Sequence, residues 1–158
     1  SVTNAVSANS LRFTQIYFFA IVYFNRNFGA VALYSMYFSD KKMENIYYID
    51  TIGCSTCNFR ALDWKRIIHE ADSITSNVTF IFYAHLKNYE EFEVYTGINR
   101  FNYPIFYDYE GKCDRQNHLP DDVFYQTFLL DENNKVQLIG KPIPDSKLWE
   151  LYKKIITQ

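Results

Sequence analysis

NIYYIDTIGCSTCNFRALDW, residues 45–64, decides how the chain is read. Its opening, NIYYIDT, is rich in β-branched and aromatic residues and predicts a buried strand. Gly53 permits a sharp turn. From Ser55 onward the apolar positions Phe59, Leu62, Ile67, Ile68 and Ala71 recur at helical spacing, which predicts one amphipathic helix ending near Asp72. Cys54 and Cys57 thus stand where a strand hands over to a helix, and in open α/β sheets the carboxyl ends of parallel strands are where sites are built.

Working outward, NVTFIFYA (77–84) predicts a second strand and LKNYEEFEVYTGI (86–98) a second helix closed by Gly97. YPIFYD (103–108) is a short strand before a turn at Gly111, and EGKCDRQNH (110–118) a polar loop. FYQTFLLD (124–131) and KVQLIG (135–140) flank Glu132-Asn133-Asn134, a good hairpin turn because Asn tolerates positive φ. A last helix, from about Asp145 to Ile156, presents Leu148, Leu151, Tyr152 and Ile155 on one face. This order implies an α/β fold, a mixed sheet with helices on both faces.

Residues 1–44 differ in character. They form an apolar and aromatic N-terminal extension, with VALYSMYF at 31–38 and few charges, and SDKKMEN (39–45) is the boundary with a domain over 45–158. QIYFFAIVYF, residues 15–24, is the most apolar run; at about ten residues it is too short for a spanning helix, which needs about 20. It reads as a buried strand or helix, as a signal or anchor remnant with Arg12 upstream, or as sequence without stable structure. Ser1 at the start suggests a processed or truncated beginning, and membrane anchoring through this segment is an open expectation.

The length of 158 residues suits one compact domain. A formal net charge of −2, with both signs interspersed, offers no basic footprint for nucleic acid. Three cysteines in such a chain do not make a disulfide framework; one C-x-x-C pair plus a leftover thiol reads first as redox or metal chemistry.

A cysteine at a helix start faces unpaired backbone N–H groups and the positive end of the helix dipole, so thiolate is favoured over thiol. With a second sulfur one turn away, the pair can cycle between dithiol and disulfide. Cys54, nearer the helix start and the more exposed, is expected to attack; Cys57, one turn deeper, is expected to resolve the mixed disulfide. Ser55 and Thr56 between them are small and polar. Asp50 is either a proton relay to the resolving thiol or a solvated carboxylate at a strand end, and His69 is a surface histidine.

YYIDTIGCSTC, the later YPIFYDYEGK, and FYQTFLLDENNKVQLIG followed by a closing helix together resemble the thioredoxin superfamily, and within it the TlpA/ResA-like thiol:disulfide oxidoreductases of the bacterial envelope. The resemblance covers roughly residues 45–158. It implies a thioredoxin-like three-layer sandwich, dithiol–disulfide exchange with protein substrates, an upstream redox donor, no cofactor, a monomer, and a periplasmic or membrane-anchored location. The chain departs from the pattern in three places. Gly53 stands where the family has Trp, Tyr125 where it has a cis-proline facing the disulfide, and Arg60 where ResA-like members have an acidic residue. Arg60, if turned towards the sulfurs, would favour a thiolate further. Tyr125 would leave room for a ligand to approach them.

Two rival readings use the same residues. Cys54, Cys57, Cys113 and His118 make a Cys₃His set of the kind zinc accepts, although a C-x-x-C at a helix start within a β-α unit is a redox context more than a zinc one. Alternatively, the fold is a non-catalytic binding module that holds a partner on its aromatic surface.

Overall fold

The computed structural model describes residues 23–24 and 42–158. The run at 15–22, the rest of 1–41 and any anchor or signal within them lie outside the described residues. Tyr23–Phe24 forms a short strand, β1, so part of the N-terminal extension pairs with the sheet. The strands that follow are β2 (Met43–Ile49), β3 (Val78–Ala84), β4 (Ile105–Tyr107), β5 (Thr127–Asp131) and β6 (Val136–Ile139). The helices are α1 (Ser55–Phe59), α2 (Ala61–Ile74), α3 (Tyr89–Ile98), α4 (Lys112–Asn117) and α5 (Ser146–Ile156).

One mixed sheet has the order β1-β4-β3-β2-β5-β6. β2, β3 and β4 are parallel, with Ile46 beside Ile81 and Phe82 beside Ile105, whereas β5 runs antiparallel to β2 and β6 antiparallel to β5. All seven residues of β3 are buried, the pattern of a strand covered on both faces. One face carries α2, α3 and α5 over an aromatic core: Phe82 meets Phe59 and Trp64 edge to face, and Phe59 also packs on Phe92 and Phe101. The other face holds Ile46, Tyr48, Ile81, Phe106, Phe128 and Leu130, with Leu119, Cys113 of α4 and Tyr125 packed against them. Among the described residues, most of the aromatic side chains therefore go into the core.

Several boundaries differ from the sequence reading. β2 begins at Met43, and the single helix expected from Ser55 to Asp72 is two. Arg60 adopts left-handed φ/ψ of 57° and 59°, ending α1 and starting α2. The break lets Phe59 enter the core with no exposed surface, while the Ala61 N–H donates to the Tyr95 hydroxyl at 3.1 Å. Gly97 does not close α3: it lies inside the helix, and the chain turns at Arg100, whose φ is 48°. The polar loop at 110–118 is instead the short helix α4, because the Asp108 carboxylate accepts the Lys112 and Cys113 N–H groups at 2.9 and 2.8 Å. Ahead of β5, residues Val123–Tyr125 form a 3-10 turn in place of strand. The hairpin stands as expected, with Asn134 at φ 59° and the Asp131 carboxylate accepting the Asn133 and Lys135 N–H groups. The cis peptide bond among the described residues is Ile143–Pro144, after β6.

Candidate active site

Three parallel strands end side by side at Asp50, His85 and Asp108, locked by His85 N–H to the Ile49 carbonyl and Asp108 N–H to the Ala84 carbonyl, each at 2.8 Å. From the end of β2 the chain turns through Gly53, whose φ of 72° is one that L side chains rarely adopt. The Ser55 hydroxyl donates back to the Asp50 carbonyl at 3.3 Å, tying the helix start to the strand end.

Cys54 and Cys57 are joined as a disulfide, with their Cα atoms 5.2 Å apart. Cys54 occupies the N-cap position of α1, and its Sγ accepts the Cys57 backbone N–H at 3.2 Å, with the Thr56 hydroxyl 3.4 Å away. A backbone donor aimed at this sulfur favours the charged form whenever the bond is opened. Both cysteines are exposed at the start of this five-residue helix.

The supporting residues divide. Asp50 is neither freely solvated nor directed at a sulfur: Oδ1 accepts the Ile52 N–H at 2.7 Å, and Oδ2 accepts the side-chain amide of Gln126. The Arg60 guanidinium is engaged by Asp63, Nε to Oδ2 at 2.8 Å. Tyr125 is half-buried, edge to face with Phe124 and packed on the core beneath β5. His69 is exposed on α2.

The zinc set is not assembled. Among the described residues no three His, Cys, Asp or Glu side chains converge as metal ligands. Cys113 instead packs against the core face of β2 and β4, where burial, with Asp108 and Asp114 nearby, pushes its thiol up to about 12. His118 is an exposed, left-handed residue capping α4.

Sequence reasoning missed two residues. Gln126, 2% exposed, donates to Asp50 and also to the Pro120 carbonyl at 2.9 Å, joining the start of β5 to the end of β2. Lys141, 7% exposed, directs its Nζ at the Asn58 carbonyl of α1 and at the Tyr47 hydroxyl, 3.4 Å away. A single charge in the otherwise apolar LIGKPIP was the available signal for Lys141.

No known family model matches the chain, and no curated protein does. Solved structures do. StoA from Bacillus subtilis superposes with a TM-score of 0.55 at 15% identity, over 72% of this chain and 84% of that one. The thioredoxin domain of a thiol-disulfide oxidoreductase from Bacteroides vulgatus gives 0.55 at 11% identity, over 74% and 81%. A mutant of PrxQ from Xylella fastidiosa gives 0.62 at 10% identity, over 92% and 97%. At these identities the likeness speaks for architecture alone: the chain has the thioredoxin-like α/β fold.

Proposed function

We propose that the protein is a thiol:disulfide oxidoreductase, exchanging electrons with protein thiols through Cys54 and Cys57. The observation that carries this reading is an exposed disulfide set at the start of a helix, at the carboxyl end of a parallel strand, with a backbone N–H already directed at the Cys54 sulfur. In the reduced protein Cys54 is the nucleophile and Cys57 the resolving thiol. Gly53, Ser55 and Thr56 shape the turn that presents them, while Asp50 and Arg60 are positioning residues, held by Gln126 and Asp63. The resemblance sets Tyr125 at the position of the superfamily's proline, so on this reading the substrate backbone meets a surface without that proline.

The finer placement belongs to the same proposal. The reading is of a TlpA/ResA-like monomer of the bacterial envelope, periplasmic or anchored so as to face the periplasm, that takes electrons from an upstream donor and passes them to protein disulfides, or the reverse. What supports it is the resemblance of the CxxC and hairpin segments together with the shared fold. Among the described residues no helix is long and apolar enough to cross a membrane.

The test is trapping. Cys57→Ser leaves an attacking thiol with no resolver, so incubation with an oxidised protein substrate yields a mixed disulfide at Cys54, seen by mass after alkylation. Absence of the adduct with Cys57→Ser, together with partner binding unchanged in Cys54→Ser, would show a binding module instead.

A further inference from the structure

Lysine is rarely buried unless paired, yet Lys141 is buried without a carboxylate among its hydrogen-bond partners. Its Nζ donates to the Asn58 carbonyl and lies 3.4 Å from the Tyr47 hydroxyl, with the ammonium 4.7 Å from the Tyr47 ring centroid. Tyr47 donates to the same carbonyl at 3.3 Å. Asn58 directly follows Cys57, and its carbonyl is among those that α1 leaves unbonded at its end. A cation there complements the helix terminus and fixes it against β2.

The backbone holds Lys141 in this place. Its N–H donates to the Phe124 carbonyl at 2.9 Å, and Gly140 before it has a φ of 127°, where an added Cβ would meet Leu148 and Phe124 carbons at 3.0 Å. An uncompensated buried cation is costly. Opening the neighbouring disulfide creates negative charge on sulfur one residue from its anchor.

We propose that Lys141 is a positioning residue of the cysteine pair: its ammonium, held under the end of α1 by Asn58 and Tyr47, favours the thiolate of the reduced pair and makes the exchange equilibrium depend on its own protonation. The proposal rests on the oxidoreductase reading. In the exchange, a thiolate of a dithiol partner attacks Cys54 Sγ; the Cys54–Cys57 bond breaks and Cys57 leaves with the electron pair. The partner's second thiolate then displaces Cys54. The partner ends as a disulfide, the pair gains two electrons, and the partner's thiol protons pass to solvent or to the cysteine sulfurs. A positive charge held at the carbonyl of the residue that follows Cys57 favours the reduced side, and by linkage the thiolate strengthens proton binding at Lys141 by the same factor.

The charged groups around Lys141 set the range. Tyr47 on β2 is held neutral by burial, with Asp50 adding to the effect; Arg60 lies at the α1–α2 junction and Asp63 on α2. Burial first, then Arg60, bring the ammonium down to about 8, against the opposing pull of Asp63. The switch therefore falls near neutral pH.

The experiment measures the equilibrium constant with glutathione from pH 7 to pH 10 for the wild type, Lys141→Met and Lys141→Arg. At pH 7 the loss of charge in Lys141→Met disfavours the reduced form about tenfold, or about 30 mV, and this gap closes by pH 10 as the wild-type lysine deprotonates. Lys141→Arg, which keeps its charge, retains the gap from Lys141→Met at pH 10. In parallel, ¹⁵N NMR of the wild type follows the Lys141 Nζ, whose titration moves to higher pH on reduction. If the wild type equilibrates normally while Lys141→Met matches it at every pH, or the Nζ titrates identically in both redox states, Lys141 is structural only and this inference fails. If the wild type does not exchange with glutathione at all, the oxidoreductase reading fails and takes the inference with it.

Discussion

The side-chain amide of Gln126, at the entrance to β5, donates to the carboxylate of Asp50 at the exit of β2, joining two strand ends 76 positions apart in sequence beside the disulfide turn. Asp50 in turn accepts the Ile52 N–H, so the loop that presents Cys54 hangs from a carboxylate that Gln126 holds. Gln126→Ala should lower stability by about 1–3 kcal/mol, the range for leaving a buried polar group without its partner. Urea unfolding checks this, and an unchanged midpoint would show that the Asp50 contact contributes nothing.

Phe59 is the residue that the break at Arg60 sends inward, against Phe82, Phe92 and Phe101. Phe59→Ala should cost about 3–5 kcal/mol, the usual range for truncating a buried aromatic. Because α1 has only five residues and this one deep anchor, amide exchange across residues 54–59 should also rise more than across α2. Uniform loss of protection throughout the domain would contradict the anchoring role.

Cys113 should be inert in the native protein. With its thiol pushed up to about 12, only about one molecule in ten thousand carries the thiolate at pH 8. Alkylation of the oxidised native chain should therefore modify no cysteine on a timescale that labels Cys113 fully in denaturant. The same shift carries a stability consequence. The folded-state value is raised, so the contribution is complete below the ordinary thiol value and is lost as pH climbs towards 12, where the unfolded chain ionises first. Cys113→Ala should accordingly flatten the alkaline fall in stability over that window, as followed by thermal unfolding at successive pH values.

Lys141 has the opposite sign. Its folded-state value lies at about 8, against an ordinary 10.5, so between those limits the unfolded chain holds the extra proton and stability rises with pH. Lys141→Met should remove that rise and be more stable than the wild type at pH 7, where the buried charge is carried at a cost. Equal slopes for the two proteins in oxidising buffer would place the lysine in a better solvated site than its burial indicates.

The parts of this fold legible in the sequence are those written as local periods. NIYYIDT, NVTFIFYA and the hairpin around Glu132-Asn133-Asn134 are strands because branched and aromatic residues run between turn formers, and Leu148 and Tyr152 mark the inner face of α5. The Cys pair was legible because its chemistry lies in a spacing of three residues. The break at Arg60 was not, since arginine is no left-handed residue by preference and the apolar period continues across it; tertiary packing of Phe59 and Tyr95 decided it. Nor were Gln126 and Lys141 as site residues, because their partners stand 76 and 83 positions away and no local pattern encodes such a contact.

The central claim is that Cys54 and Cys57 form a reversible redox couple, and a titration in glutathione buffers of graded potential, with free thiols counted by mass after alkylation and zinc assayed on the same sample, tests it most directly. The account predicts that the two sulfurs convert together between disulfide and dithiol at one defined potential, with Cys113 unchanged and no zinc present. A pair that stays in one state across the whole range, or that copurifies with one zinc per chain, would contradict it.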